Sequence, residues 1–378
     1  MQILIAPDKF RGSLDALQVC EAVEKGILMA IPSARVIKTP LADGGEGTAE
    51  ILTLSQGGRF ANVRVQDPLG RETEASYGVS GDGSTAYIEL ASASGLRLLA
   101  TDERNPLLTT TFGTGQLIAH ALDQGIENLI LGIGGSATTD AGIGLAAALG
   151  YRFLDQDENE LPPIGENLIR IAKIDDRFVH PCLANCRITV ACDVTNPLYG
   201  PTGAACVYAP QKGADPQMVE LLDQGLKSFA QIANLHFGKN VDLMPGAGAA
   251  GGVGAGAVWF LNARLQEGVK IVMDQLRLPE IVKNVDLVIT GEGKADEQTL
   301  SGKVVQGLAS LCREADVPLA LLCGTLEITP QQAKDAGIIY ATSVLNRPMD
   351  LATAQQEAYE RVVETAYYLA NLLRNFRS

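Results

Sequence analysis

Five short apolar runs constrain the fold of this chain more than any other feature. Two lie near the amino terminus, at residues 3–6 and 34–39, and three near the carboxyl terminus, at 285–290, 319–323 and 338–343. Stretches with apolar residues at helical spacing separate them. The clearest is 14–30, with Leu17, Val19, Ala22, Val23 and Ile27 on one face. Strands that alternate with helices pair in parallel, and five of them suffice for a flavodoxin-like doubly wound domain. Between the two ends the style changes. Residues 62–65, 75–79 and 86–90 alternate over short lengths and are joined by Gly-Asp turns, the pattern of antiparallel strands. The expectation is an α/β protein in which a discontinuous flavodoxin-like doubly wound domain (1–61 plus 285–378) is interrupted by a second α/β domain (62–284), with the active site in the cleft between them.

Length and charge fit this arrangement and narrow the function. A chain of 378 residues exceeds what one core usually carries. Its formal charge of −14 repels a phosphate backbone and an anionic bilayer, so neither nucleic acid nor a membrane is expected as a partner. An anionic metabolite stays open, because backbone N–H groups and a bound cation outweigh the global field locally. The seven cysteines are an odd number, and the chain opens on an apolar strand rather than a leader, which points to reduced thiols in the cytoplasm. The 4-residue step from Cys182 to Cys186 has no second pair at zinc-finger distance, so these cysteines read as small apolar residues.

The forty glycines gather where chemistry is expected. The loop from Asp8 to Ser13 lies between the first strand and its helix, a place where α/β proteins bind anions, and Ser13 is placed to cap that helix. Residues 42–48, Ala-Asp-Gly-Gly-Glu-Gly-Thr, open another helix and carry Asp43. A strand at 128–132 runs into a loop whose Gly134 and Gly135 let the backbone approach a phosphate, whose Ser136, Thr138 and Thr139 offer hydroxyls, and whose Asp140 could meet magnesium; a helix is expected over 141–149. Residues 191–197 deliver Asp193, a candidate general base, and Asn196, a candidate polar clamp, to a loop that Pro197 keeps out of helix. The glycine-alanine stretch at 246–258, with Gly251 and Gly252, suits a loop packed tightly against nucleotide or against protein. Last, residues 290–303 combine Gly291, Gly293, Glu292, Asp296 and Lys303 after a buried strand. Glu292 and Asp296 are spaced to face one ion, and Lys303 could pair with a phosphate.

Six segments of the chain, taken in order, resemble the type-I glycerate kinase family, which contains the bacterial enzymes that form 2-phosphoglycerate. They are Ala6-Pro7-Asp8 with Gly12-Ser13-Leu14, residues 42–48, Gly-Gly-Ser-Ala-Thr at 134–138, Ala-Cys-Asp-Val-Thr-Asn-Pro-Leu at 191–198, Pro-Gln-Lys-Gly-Ala at 210–214 and Thr-Gly-Glu-Gly at 290–293. The resemblance implies a flavodoxin-like domain interrupted by a restriction-endonuclease-like α/β domain, with ATP and Mg2+ as cofactors and D-glycerate as substrate. Lys9, Arg11, Thr139 and Ala141 depart from the family's usual serine, lysine, asparagine and glycine; Arg11 keeps the charge and a bidentate fork for a carboxylate.

The reading that follows is transfer of the ATP γ-phosphoryl group to the C2 hydroxyl of D-glycerate. Asp193 is the preferred base and Asp43 the second. Asp8, Arg11, Ser13 and Asn196 are expected at the substrate. Gly134, Gly135, Ser136, Thr138, Gly251, Gly252, Gly291 and Gly293 are expected at the nucleotide, with Glu292, Asp296 and Asp140 at the metal and Lys303 at the transferring phosphate. Phosphorylation of the C3 hydroxyl or of a related hydroxy acid stays open, as does a homodimer. A nicotinamide-dependent dehydrogenase would need Gly-x-Gly-x-x-Gly in the first turn, which here reads Asp-Lys-Phe-Arg-Gly-Ser. A non-catalytic sensor of an acidic metabolite would bind glycerate without using ATP.

Overall fold

The structure, a computed structural model, describes residues 1–10, 12–42, 44–301 and 303–376, without the side chains of Gln298, Ser301, Lys303 and Phe376. In chain order the strands among the described residues are β1 (Gln2–Ile5), β2 (Arg35–Lys38), β3 (Arg59–Gln66), β4 (Glu72–Val79), β5 (Thr85–Glu89), β6 (Asn128–Gly132), β7 (Arg152–Leu154), β8 (Lys173–Asp175), β9 (Arg187–Ala191), β10 (Arg264–Gln266), β11 (Leu287–Ala295), β12 (Leu319–Leu326) and β13 (Ile338–Ser343). The chain divides into two compact units, one made of Met1–Asp43 with Val269–Ser378 and the other of Gly44–Gly268.

The first unit is built on a five-stranded sheet in the order β13-β12-β11-β1-β2, parallel throughout. Counted within this unit the order is 2-1-3-4-5, the flavodoxin-like winding, in which the strand order reverses between β1 and β11. The sheet is apolar because helices cover it: Ile3, Leu4 and Ile5 are fully buried, each side chain contributing about 1.5–3 kcal/mol of burial. The helix Ala16–Ala30 lays Val19, Val23 and Ile27 on this core beside Val362 and Ala366 of the helix Leu351–Phe376. Ser13, expected as the cap of Ala16–Ala30, donates its hydroxyl to the Phe10 carbonyl instead. The cap is Asp15, in a reciprocal box with Gln18 at 2.8 and 3.0 Å.

β11 is longer than its apolar run. Gly291, Glu292, Lys294 and Ala295 stay in register with Leu322, Cys323, Thr325 and Leu326 of β12, so residues 290–295 form the carboxyl end of a strand rather than a turn. The parallel partner supplies hydrogen bonds that a glycine-rich segment lacks by itself.

The second unit holds a six-stranded sheet, β10-β9-β6-β5-β4-β3, and a β7-β8 ribbon. β3, β4 and β5 are antiparallel, as their alternation implies, while β5, β6, β9 and β10 are parallel. Its core joins Leu129, Leu131, Ile188 and Val190 of the sheet to a cluster of Phe153, Phe229, Trp259 and Phe260. The helix expected over 141–149 begins two residues later, at Ile143–Ala148, because Ala141 and Gly142 are left-handed at φ 52° and 75°.

Candidate active site

Two groups of chemistry-bearing residues stand out, one in each unit. In the first, β1 ends at Ile5 opposite Ile289 of β11, at the point where the strand order reverses, the place where doubly wound sheets bind ligands. The Asp8 N–H donates to the Gly291 carbonyl at 2.8 Å, which sets Asp8 next to β11. Glu292 projects from β11 with its Oε1 buried and without a hydrogen-bond partner. Burial pushes its carboxyl up to about 7, against the Thr299 hydroxyl, and the charges of Asp8 and Asp296 push it the same way. Asp296 pairs with Lys294 at 3.3 Å and accepts the Thr299 N–H at 3.3 Å, as a cap of the helix Glu297–Ser301. Arg11 and Asp43 lie outside the described residues, as does the Lys303 side chain. Gly293 lies within β11.

In the second unit the loop after β6 is held from below by a lysine. Gly134 and Gly135 are exposed, whereas Ser136 is 7% exposed and Thr138, Thr139 and Asp140 are fully buried. Lys212, only 2% exposed, donates its Nζ to Ser136 Oγ at 2.7 Å and to the Thr138 carbonyl at 2.5 Å. Asp140, expected at a metal, instead accepts four hydrogen bonds, from the Thr111 hydroxyl at 2.7 Å and from the Thr111, Gly142 and Gly144 N–H groups at 2.8, 3.2 and 3.3 Å. Burial pushes its carboxyl up from the usual range, and these donors oppose that shift. The carboxylate joins the loop to the start of two helices.

Gly251 and Gly252 are buried behind the same loop, packed against protein rather than open to a ligand. Both are left-handed, and a Cβ on Gly251 would stand 2.0 Å from the Thr138 carbonyl oxygen. The Gly251 carbonyl in turn accepts the Ala141 N–H at 3.0 Å. Thr138 is therefore part of the underside, and the exposed edge of the loop is Gly134–Gly135 with Ser136 beneath it.

Asp193 follows β9, half-buried, and accepts the Gly268 N–H at 2.9 Å. Asn196 uses its whole amide within the unit, donating to the Thr202 carbonyl at 2.8 Å and accepting the Tyr208 hydroxyl at 2.7 Å. It fixes the loop that presents Asp193. At 42–48, Glu89 Oε1 accepts the Gly47 and Ala49 N–H groups at 2.9 and 3.0 Å, so the acid that caps this helix start comes from β5.

Comparison with known proteins decides the family. The model of the glycerate kinase family matches residues 3–374. The chain belongs to the glycerate kinase family. Curated relatives named glycerate kinase include one from Halalkalibacterium halodurans, 45% identical over 368 residues with 97% of each chain covered. Another, from Haemophilus influenzae, is 43% identical over 373 residues with 99% of each chain covered. A glycerate 2-kinase from Escherichia coli K12 is 42% identical over 373 residues, covering 99% of this chain and 98% of its own. A crystal structure assigned to glycerate kinase 2 of Salmonella typhimurium LT2 superposes with a TM-score of 0.92 at 43% identity, covering 100% of this chain and 99% of that one.

For a member of this family, sequence reasoning passed over Lys212. The signal was present: Lys212 is the charged residue of the 210–214 segment, between Pro210, which starts a short turn, and Gly213, which ends it at φ 97°. A Cβ on Gly213 would lie 2.2 Å from the Arg104 carbonyl oxygen, so the turn is pressed into the body of the unit and takes its lysine with it.

Proposed function

We propose that this chain is an ATP-dependent glycerate kinase that transfers the γ-phosphoryl group of ATP to the C2 hydroxyl of D-glycerate, giving 2-phospho-D-glycerate and ADP. Family membership over residues 3–374, with a glycerate 2-kinase among the full-length relatives, carries this reading. In the transfer, the C2 oxygen forms a bond to the γ-phosphorus while the bond from that phosphorus to the β–γ bridging oxygen breaks. The hydroxyl proton passes to a carboxylate. Asp193 is the preferred acceptor, because the Gly268 N–H and the Asn196 contacts hold it at the end of β9, and Asp43 is the second. Arg11 and Lys303 are assigned to the substrate carboxylate and the transferring phosphoryl group, with Asp8 and Ser13 in the same substrate loop. Gly134, Gly135 and Ser136 are assigned to the nucleotide phosphates.

Magnesium fits the residues of the first unit. A buried carboxylate oxygen without a hydrogen-bond partner, on a glutamate whose carboxyl is pushed up by burial and by two further acids, is what a hard divalent cation would satisfy. Glu292 would hold the ion; among the described residues no three acidic, histidine or cysteine side chains stand close enough to ligate it together, so phosphate oxygens and water would complete its shell, and the ion would neutralise charge there. Asp140, already saturated, is left to shape its loop. Among the described residues no helix is long and apolar enough to cross a membrane, and a cytoplasmic place is proposed for an enzyme acting on these small metabolites.

The test is ADP release with D-glycerate, ATP and magnesium, with phosphorus NMR of the product. A 2-phosphate formed only in the presence of D-glycerate supports the reading. A 3-phosphate would move the chemistry to the other hydroxyl, and no ADP from any small hydroxy acid would overturn the assignment.

A further inference from the structure

The fully buried lysine of the second unit has no role in the reaction as written so far. A lysine at 2% exposure is costly unless its ammonium is paired, and Lys212 makes two short hydrogen bonds, both to the loop at 134–140. The two acceptors lie on either side of Ala137, whose own N–H goes to the Ser94 carbonyl at 2.9 Å. The lysine thus closes the loop's underside while leaving Gly134 and Gly135 exposed above it. Asp140 fixes the other limb through Thr111 and the Gly142 and Gly144 amides. Gly251 backs the middle, so the loop is held on three sides.

We infer that Lys212 is a positioning residue for nucleotide binding: its buried ammonium, held by Ser136 Oγ and the Thr138 carbonyl, fixes the exposed Gly134–Gly135 edge and sets a positive charge beneath it for the phosphates of ATP. This rests on the assignment of that loop to the nucleotide. Asp140 is the charged group that acts on the lysine, and Arg104 packs its backbone against the neighbouring Gly213. Burial pushes the Lys212 ammonium down to about 7, with Asp140 opposing, so the charge is lost just above neutrality in the free enzyme. A bound polyphosphate stabilises the protonated form, and affinity for ATP then falls as pH rises. A single proton limits the fall to about tenfold per pH unit.

The experiment is steady-state kinetics of the full chain, as ADP release with D-glycerate, for wild type, Lys212→Met, Ser136→Ala and the double variant. The expected result is a KM for ATP raised about tenfold or more in Lys212→Met, with kcat and the KM for glycerate changed much less, and a double variant no worse than Lys212→Met alone. Wild-type KM for ATP should rise between pH 7 and 8.5, and Lys212→Met should be flat over that range. Should Lys212→Met fail to fold by circular dichroism, the wild-type pH profile decides: a KM for ATP that climbs between pH 7 and 8.5 while the KM for glycerate does not supports the inference. Wild-type turnover combined with an ATP KM indifferent to these changes, or a loss confined to kcat, overturns the role of Lys212 and leaves the kinase reading standing. A wild-type chain that binds no nucleotide by calorimetry overturns both.

Discussion

Glu292, the proposed magnesium ligand, is held in the folded chain at a cost in stability. Its carboxyl is raised from 4.5 to about 7 in the folded chain, first by burial. Between those values the unfolded chain has released the proton and the folded chain keeps it, so stability falls as pH rises through that window and stays reduced above it. The cost at pH 8 is on the order of 1–3 kcal/mol. Glu292→Gln removes the charge at nearly constant shape. The variant should melt several degrees higher than wild type at pH 8, with little difference at pH 4.5, and its kcat/KM should drop at least a hundredfold. A variant that melts no higher at pH 8 would mean that the unpartnered Oε1 is not strained, and retained activity would remove Glu292 from the metal site. Asp193→Asn tests the base in a different way. It should lower kcat by two to four orders of magnitude, the usual reach of general base catalysis, while leaving the KM for ATP within about threefold. An unchanged kcat would pass the role to Asp43.

At the scale of elements, apolar periodicity carried most of the fold. β6 and β13 run over the residues their alternation and apolar content indicate, and β3, β4 and β5 differ from it only at their ends. The departures have local physical causes. β11 continues through Gly291 and Gly293 because β12 lies alongside in register, and a partner strand is invisible to a reading of local propensity. The cap of Ala16–Ala30 moves from Ser13 to Asp15 because Gln18 completes a reciprocal box three residues on, a signal that was in the sequence. The candidate site was legible as a set of acidic and glycine-rich loops but not as burial. Nothing in the spacing distinguishes Asp140, sealed under four donors, from Glu292, left with an unpartnered oxygen. The glycine-alanine segment was likewise readable as close packing, though not as the back wall of the loop at 138–141. Gly251→Ala tests that wall. Its Cβ would meet the Thr138 carbonyl at 2.0 Å and the residue would hold φ 70°, so the variant should lose about 2 kcal/mol or more and melt correspondingly lower. A melting temperature within a degree of wild type would show that the wall yields.

Over the whole molecule, a chain of charge −14 must bind an anionic nucleotide and an anionic hydroxy acid. At physiological salt the screening length is about 8 Å, so the exposed acids elsewhere on the surface weigh little against what stands next to a phosphate. Local charge decides: in the proposed metal site of the first unit, Asp8, Glu292 and Asp296 set up a field that repels phosphate. A divalent cation offsets two of those three negative charges, whereas free ADP meets all of them. Ligand that binds only the folded chain stabilises it by about 2.7 kcal/mol at a hundred times its Kd. ADP with magnesium should therefore raise the melting temperature of wild type clearly, ADP with EDTA should raise it much less, and Glu292→Gln should lose most of the difference between the two. If the shift were the same with and without the cation, the acids at the ends of β1 and β11 would not be its ligands, and the binding energy would have to come from the loop over Lys212, whose variants would then abolish the shift alone.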